Sequence, residues 1–278
     1  MPELPEVEVV RRGLAQHLAG RTIESAEVIH PRVGRRQAGG GAELVCRLSG
    51  RRIEEVARRG KYLWTVLDSG EYLLIHLGMS GQMLIKNAGT PTHKHLRARL
   101  LLGDSHEAWF VDQRTFGAWQ VGELIDGTPE AITHIARDPF DPEFSMSEVA
   151  ARILAKNSSI KRVLLDQSVV SGFGNIYADE ALWRAKIHGE TPASALSTTQ
   201  VISLLDAGKE VMANALAQGG TSFDALYVNV NGESGYFSRS LNVYGQAGAA
   251  CPRCGTQIVR ETFMNRGSHF CPTCQPLS

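Results

Sequence analysis

Apolar residues near the start of the chain recur at Val7, Val10, Leu14 and Leu18, steps of three, four and four that put them on one face of a helix. Pro5 suits a first helical turn, where its missing N–H costs nothing, and Gly20 suits the stop, so the spacing predicts a helix over 5–19. From residue 22 to about 124 the texture changes. Short alternating or apolar runs at 24–29, 44–48, 62–67, 72–77, 96–102 and 108–111 are separated by turn residues such as Asp68-Ser69-Gly70. This is the pattern of an antiparallel sandwich or barrel. The stretch 33–42, carrying Gly34, Gly39, Gly40 and Gly41, has no period and is expected to be a mobile loop. Cys46, inside the apolar run 44–48, is expected to be a small buried hydrophobe.

Between 125 and 142 turn and breaker pairs cluster: Asp126-Gly127, Thr128-Pro129, Asp138-Pro139 and Asp141-Pro142. A domain boundary is placed there. Ser145 or Ser147 can cap a helix through Leu154, Ser158 or Ser159 another through Asp166, and helices follow over 176–185 and 198–217. The resulting division is a domain over 1–125, a linker over 126–144, a helical domain over 145–240 and a tail over 241–278.

Four of the five cysteines lie in that tail, as Cys251-x2-Cys254 and Cys271-x2-Cys274. Two pairs on tight turns point four thiolates at one tetrahedral ion, which predicts a structural zinc site. Redox pairs or disulfides are the other reading. A tail this short cannot bury a core of its own, so the metal would supply its folding free energy.

At 278 residues the chain is long enough for a large core. Its apolar runs are too short to cross a bilayer, and the opening Met1-Pro2-Glu3-Leu4-Pro5-Glu6 lacks the basic and apolar segments of a secretory signal. A cytoplasmic protein is expected. Net charge is zero, yet residues 1–64 carry 12 basic against 8 acidic side chains and 65–150 carry 6 against 12. Basic ends that met in space could hold a polyanion; uneven solvated charge would look the same.

Three stretches could carry chemistry. Ser171-Gly172-Phe173-Gly174-Asn175 joins two predicted helices, with Lys156, Lys161 and Arg162 before it, so helix-terminal N–H groups could face a phosphate. A plain structural turn is the alternative. Arg114 and Phe116 in a loop after a strand, and Met79 between Gly78 and Gly81, could read and wedge bases, or be core residues. Pro2, once Met1 is removed, would present a secondary amine able to attack an electrophilic carbon and form an iminium, with Glu3 beside it for proton transfer. The hexapeptide could equally just start the first helix.

Taken together, Met-Pro-Glu-Leu-Pro-Glu, Arg59-Gly60-Lys61-Tyr62-Leu63, His76-Leu77-Gly78-Met79-Ser80-Gly81, the Arg114 to Trp119 loop, Gly174-Asn175-Ile176-Tyr177-Ala178 and the four cysteines resemble, in that order, the formamidopyrimidine-DNA glycosylase family across essentially the whole chain. The resemblance implies an α+β fold of two domains, an N-terminal β-sandwich flanked by helices and a C-terminal helix-two-turn-helix module with a zinc finger. It implies a base-excision repair enzyme that removes 8-oxoguanine and ring-opened purines from damaged double-stranded DNA and cuts at the abasic site. Nothing in the sequence demands an oligomer or a small-molecule cofactor, so a monomer with the one structural zinc ion is expected. Pro2 would be the Schiff-base nucleophile, and Glu3 the proton donor that opens the deoxyribose. Lys61 would donate a proton in β-elimination, and Arg266 would assist δ-elimination and hold phosphate. Lys156, Asn175 and His95 would contact the DNA backbone, while Met79, Arg114 and Phe116 would fill the gap left by the extruded nucleotide.

The chain departs from the family in places. Asp224, in the segment 219–236 that by the resemblance corresponds to the family's loop closing over the flipped base, stands where some members carry a basic residue, and Thr115 replaces an arginine of some relatives. An endonuclease VIII-type enzyme for oxidised pyrimidines is the nearest alternative; Leu4 and the Arg114-x-Phe116 loop favour purines. A non-catalytic zinc protein that only binds lesions is the other, and the joint presence of Pro2, Glu3 and Lys61 argues against it.

Overall fold

In this computed structural model, which describes residues 2–103, 105–220, 229–233 and 237–277, the expected first helix is α1 (Leu4–Leu18). Glu3 is its N-cap, and the Glu6 carboxylate accepts the Glu3 N–H at 2.8 Å, satisfying a donor the helix cannot. Val7, Val10, Leu14 and Leu18 are all buried, so the periodic face is the packed face.

Nine strands and one helix follow: β1 (Ile23–Val28), α2 (Gly40–Leu48), β2 (Ile53–Arg59), β3 (Tyr62–Leu67), β4 (Glu71–His76), β5 (Gly81–Asn87), β6 (Leu96–Leu102), β7 (His106–Asp112), β8 (Ala118–Ile125) and β9 (Thr128–Pro129). They form two antiparallel sheets of order β1-β6-β7-β5 and β2-β3-β4-β8-β9. Leu63, Leu73 and Ile75 from one, and Met83, Leu100 and Phe110 from the other, enter a single core with α1 and α2.

Three expectations are corrected here. The run 44–48 is not a strand but the end of α2: Leu44 and Leu48, four apart, turn inward, and Cys46 on the other side is exposed rather than buried. A five-residue apolar run does not separate strand from helix. The stretch 33–42 is built rather than loose, with a 3₁₀ turn over Pro31–Gly34 leading into α2. A Cβ on Gly34 would lie 2.8 Å from Gly40 C and Gly41 N, so this glycine serves close backbone packing. Strands β2, β5 and β8 were not expected, because their polar positions interrupt any period of two.

The remainder contains α3 (Met146–Leu154), α4 (Ile160–Leu165), α5 (Asn175–Ala185), α6 (Thr198–Ala217) and a hairpin of β10 (Val259–Phe263) with β11 (Arg266–Phe270). Ser145 caps α3 by accepting the Glu148 N–H at 3.4 Å. The chain divides into two compact units, Met1–His134 with Gln218–Tyr236, and Ile135–Ala217 with Phe237–Ser278. Among the described residues after α6, Val230 packs on the first unit: it is buried over Gly13 of α1, and its carbonyl accepts the Ile85 N–H at 2.9 Å. Asp224 lies outside the described residues.

Candidate active site and nucleic-acid interface

In the first unit Pro2 and Glu3 are buried at the N-terminal end of α1. That end is held by Glu8, whose carboxylate accepts from Arg11 Nε at 2.9 Å, Arg12 Nε at 2.8 Å and Arg58 Nε at 3.0 Å. Burial alone would raise the Glu8 pKa, but the hydrogen bonds from these three guanidiniums outweigh it and hold the carboxyl at about 2. Arg58 in turn donates to the carbonyl of Gly60 at 3.0 Å. Lys61 follows Gly60 in the β2–β3 turn and is buried. A relay of one carboxylate and one guanidinium thus ties the helix that begins with Pro2 and Glu3 to the turn that carries Lys61.

His76, at the end of β4, was legible only as part of a motif. Its ring packs on Tyr62 at 5.1 Å, and its Nδ1 accepts the Gly78 N–H at 3.2 Å, which leaves the proton on Nε2. Burial, then the positive charges of Arg36, Arg35 and Lys61, push its pKa down to about 4. The imidazole is therefore a neutral donor at physiological pH.

Beyond it two loops lie backbone to backbone. A Cβ on Gly78 would sit 2.5 Å from Phe116 C, and Gly78 has φ +63°, so no other residue fits. The loops present Met79 at 36% and Phe116 at 40% exposure, which excludes the core reading of both. Arg114 lies over the Phe116 ring at 4.9 Å. Buried Asp112 anchors this loop: one oxygen accepts the Ser80 hydroxyl at 2.5 Å and the Arg114 N–H at 3.2 Å, the other the Gly117 N–H at 2.7 Å. His95 borders it, because the His95 carbonyl accepts the Asp112 N–H at 2.9 Å and Arg97 reaches both the Asp112 carbonyl, at 2.7 Å, and His95 Nδ1, at 3.1 Å. Desolvation and the charges of Lys94 and Arg97 lower the His95 pKa.

In the second unit Lys156 and Arg266, far apart in sequence, line one cavity of about 370 Å³ with Ser158, Arg162, Asp166 and Met264. Met264 and Asn265, with φ +45° and +60°, make the tight turn that delivers Arg266 to the start of β11. Asn175, the first residue of α5, donates from Nδ2 to the Gly267 carbonyl at 2.8 Å, so it grips the Arg266 hairpin. Buried Asp179 does the same one turn later, accepting the His269 N–H at 2.8 Å and pairing with fully buried Lys161 at 2.6 Å. The sequence had offered Lys161 as a phosphate candidate; the structure gives it to Asp179.

The four sulfurs of Cys251, Cys254, Cys271 and Cys274 lie within 4.8 Å of one another, with Cys254–Cys271 at 3.5 Å and Cys251–Cys274 at 4.0 Å. Tetrahedral zinc thiolate requires sulfurs about 3.8 Å apart, given Zn–S of about 2.3 Å. The set fits one structural zinc ion. Its small core borrows Trp183 from α5, against Val243, Cys251 and Ile258.

The chain matches the formamidopyrimidine-DNA glycosylase N-terminal domain over residues 1–119, the helix-two-turn-helix domain of the same proteins over 135–225, and a zinc finger found in them and in isoleucyl-tRNA synthetases over 248–277. The chain belongs to the formamidopyrimidine-DNA glycosylase family. Relatives so named from Corynebacterium efficiens and Rhodococcus jostii are 62% and 57% identical to it, over 99% of this chain and 99% and 96% of theirs. Among solved structures, the Lactococcus lactis protein in complex with DNA containing an abasic site is 33% identical with a TM-score of 0.89, over 99% of both chains. A MutM protein in complex with DNA containing carbocyclic 8-oxoguanine is 34% identical, also with a TM-score of 0.89, over 99% of this chain and 100% of that one.

Proposed function

We infer that this protein is a DNA glycosylase and abasic-site lyase of base-excision repair, acting on oxidised purines, 8-oxoguanine and formamidopyrimidines, in duplex DNA. The observation that carries the reading is the buried Pro2-Glu3 start of α1 in a chain that matches the family from end to end.

With Met1 removed, the Pro2 nitrogen bonds to the anomeric carbon while the glycosidic bond breaks and its electron pair leaves with the base. Glu3 supplies the proton that opens the deoxyribose ring, and the product is a charged iminium. That charge acidifies the adjacent carbon. Water takes that proton, the C–H electron pair becomes a C=C bond and the 3′ phosphate leaves with the C–O electron pair, Lys61 acting as proton donor to the departing oxygen; a second elimination of the same kind, assisted by Arg266, expels the 5′ phosphate. Lys156, Asn175 and His95 hold backbone phosphates, and Met79, Arg114 and Phe116 occupy the stack from which the nucleotide is extruded. Zinc bound to the four cysteines supplies rigidity to the hairpin bearing Arg266. The active form is a monomer working on cytoplasmic DNA; no described helix is long and apolar enough to cross a membrane.

Borohydride trapping on a duplex with 8-oxoguanine opposite cytosine tests the reading, with intact mass measured on the same preparation. Processed protein is expected to crosslink and protein retaining Met1 to bind without crosslinking, because an acylated proline nitrogen is not nucleophilic. Crosslinking by a wholly unprocessed population would move the nucleophile elsewhere. A matching panel of oxidised pyrimidines separates the purine reading from the endonuclease VIII-type one.

A further inference from the structure

Arg35 lies in the glycine-rich stretch between β1 and α2, outside every motif that marks the family resemblance. Its guanidinium reaches across to the Phe116 loop: Nη1 donates to the Gly117 carbonyl at 2.5 Å and to the Arg32 carbonyl at 2.8 Å, and Nη2 donates to the Phe116 carbonyl at 2.6 Å. On the other strand of the loop Asp112 takes the Gly117 and Arg114 N–H groups. The loop is therefore held from both sides, its carbonyls by a cation and its amides by an anion. It also contains Thr115 at φ +54°, a conformation a β-branched residue adopts only under restraint. Gly117 leaves no slack, since a Cβ there would meet Phe110 Cζ at 2.4 Å and the His76 carbonyl at 2.8 Å.

We propose that Arg35 is a positioning residue for lesion extrusion: it locks the Arg114–Gly117 loop in the conformation that presents Phe116, so that the aromatic ring enters the base stack already ordered. This rests on the wedge role given above to Phe116. A wedge must displace stacked bases, and any freedom its backbone retains has to be lost at that moment. Two charge-assisted bonds to adjacent carbonyls remove that freedom beforehand. Only a planar fork spans both, so lysine at 35 cannot substitute. Arg35 is itself exposed, and changing it empties no core space.

The test compares the parent protein with Arg35→Met, Arg35→Lys, Phe116→Ala and the Arg35→Met/Phe116→Ala double variant. Three quantities are read: single-turnover excision of 8-oxoguanine from duplex DNA, the fluorescence of 2-aminopurine placed opposite the lesion, and cleavage of a single-stranded abasic oligonucleotide, which has no stack to open. Arg35→Met and Arg35→Lys are each expected to slow duplex excision about tenfold, the loss of roughly one charged hydrogen bond. Both should reduce the 2-aminopurine change and leave single-stranded cleavage within about twofold of the parent. The double variant should be no slower on duplex than Phe116→Ala alone, because the clamp acts only through the ring. Parental duplex rates in Arg35→Met, an equal slowing on the single strand, or additive losses in the double variant would each overturn the clamp. Parental duplex rates in Phe116→Ala would instead remove the wedge role on which it rests.

Discussion

Glu3 shows how much one position can be asked to do. Its backbone N–H is taken by Glu6 and its residue caps α1, so the geometry that starts the helix also fixes the carboxylate next to the Pro2 nitrogen. Glu3→Gln keeps size and cap while removing the acid. Lesion binding should stay within a few-fold of the parent, whereas excision of 8-oxoguanine should fall by about 10²-fold or more, the usual worth of a placed proton donor. A preformed abasic site, with no base left to lose, should be cut with a smaller loss. Equal excision by parent and variant, measured in single turnover, would take the proton-donor role from Glu3. At the same scale His76, with its pKa pushed down to about 4, stays neutral above pH 5.

At the level of elements, the tie between α1 and the β2–β3 turn has a pH signature. The Glu8 carboxyl is held at about 2 when folded, against an ordinary 4.5. A depressed folded pKa gives stability that is fully present above the ordinary value and is lost as pH falls towards 2. Glu8→Gln should therefore cost about 3 kcal/mol at pH 7, with the gap to the parent closing between pH 4.5 and pH 2. Urea unfolding at several pH values reads this directly, and a gap independent of pH would locate the contribution of Glu8 elsewhere.

The zinc element is likewise not a free-standing tail. Arg253 stacks on Trp183 at 4.2 Å, Glu180 accepts the N–H groups of Asn242, Val243 and Tyr244, and Gln275 bridges Cys271 to the Ile187 carbonyl. Cys271→Ser should lose the metal, shift Trp fluorescence to the red as Trp183 is wetted, and weaken binding to damaged duplex sharply, while a single-stranded abasic site can still be trapped through Pro2. Undiminished duplex affinity in a demonstrably zinc-free variant would contradict the assignment of Arg266 to DNA.

At the scale of the whole molecule the charge sums to zero, yet the cations proposed to meet phosphate are local: Lys156 and Arg266 line one cavity with Arg162, and Arg114 lies on the Asp112 loop. Affinity for damaged duplex should fall steeply with salt despite neutrality, each phosphate contact adding about 0.9 to the log–log slope. Lys156→Gln should lower that slope by about one contact. A slope near zero in the parent would mean that these cations do not meet phosphate.

What the sequence determined by itself were features in which a local rule coincides with the fold. The α1 face has a period that no strand shares. The four-cysteine spacing specifies a metal geometry, and the cap and length of α3 and α6 follow from Ser145 and from continuous helical pattern. The family's motifs were legible for a similar reason, since each is a short run whose chemistry needs neighbours in sequence. Tertiary structure decided the rest. The run 44–48 became a helix because Leu44 and Leu48 found one core, which a five-residue pattern does not encode. Lys161 became the partner of Asp179, and Trp183 part of the zinc core, through contacts across 18 and at least 60 residues of chain. Arg35 is the plainest case. Nothing around it in sequence marks it, and its hydrogen bonds to Phe116 and Gly117 join positions 81 and 82 residues away. A guanidinium has no periodicity to betray what it will hold; only the folded sheets bring the carbonyls to it.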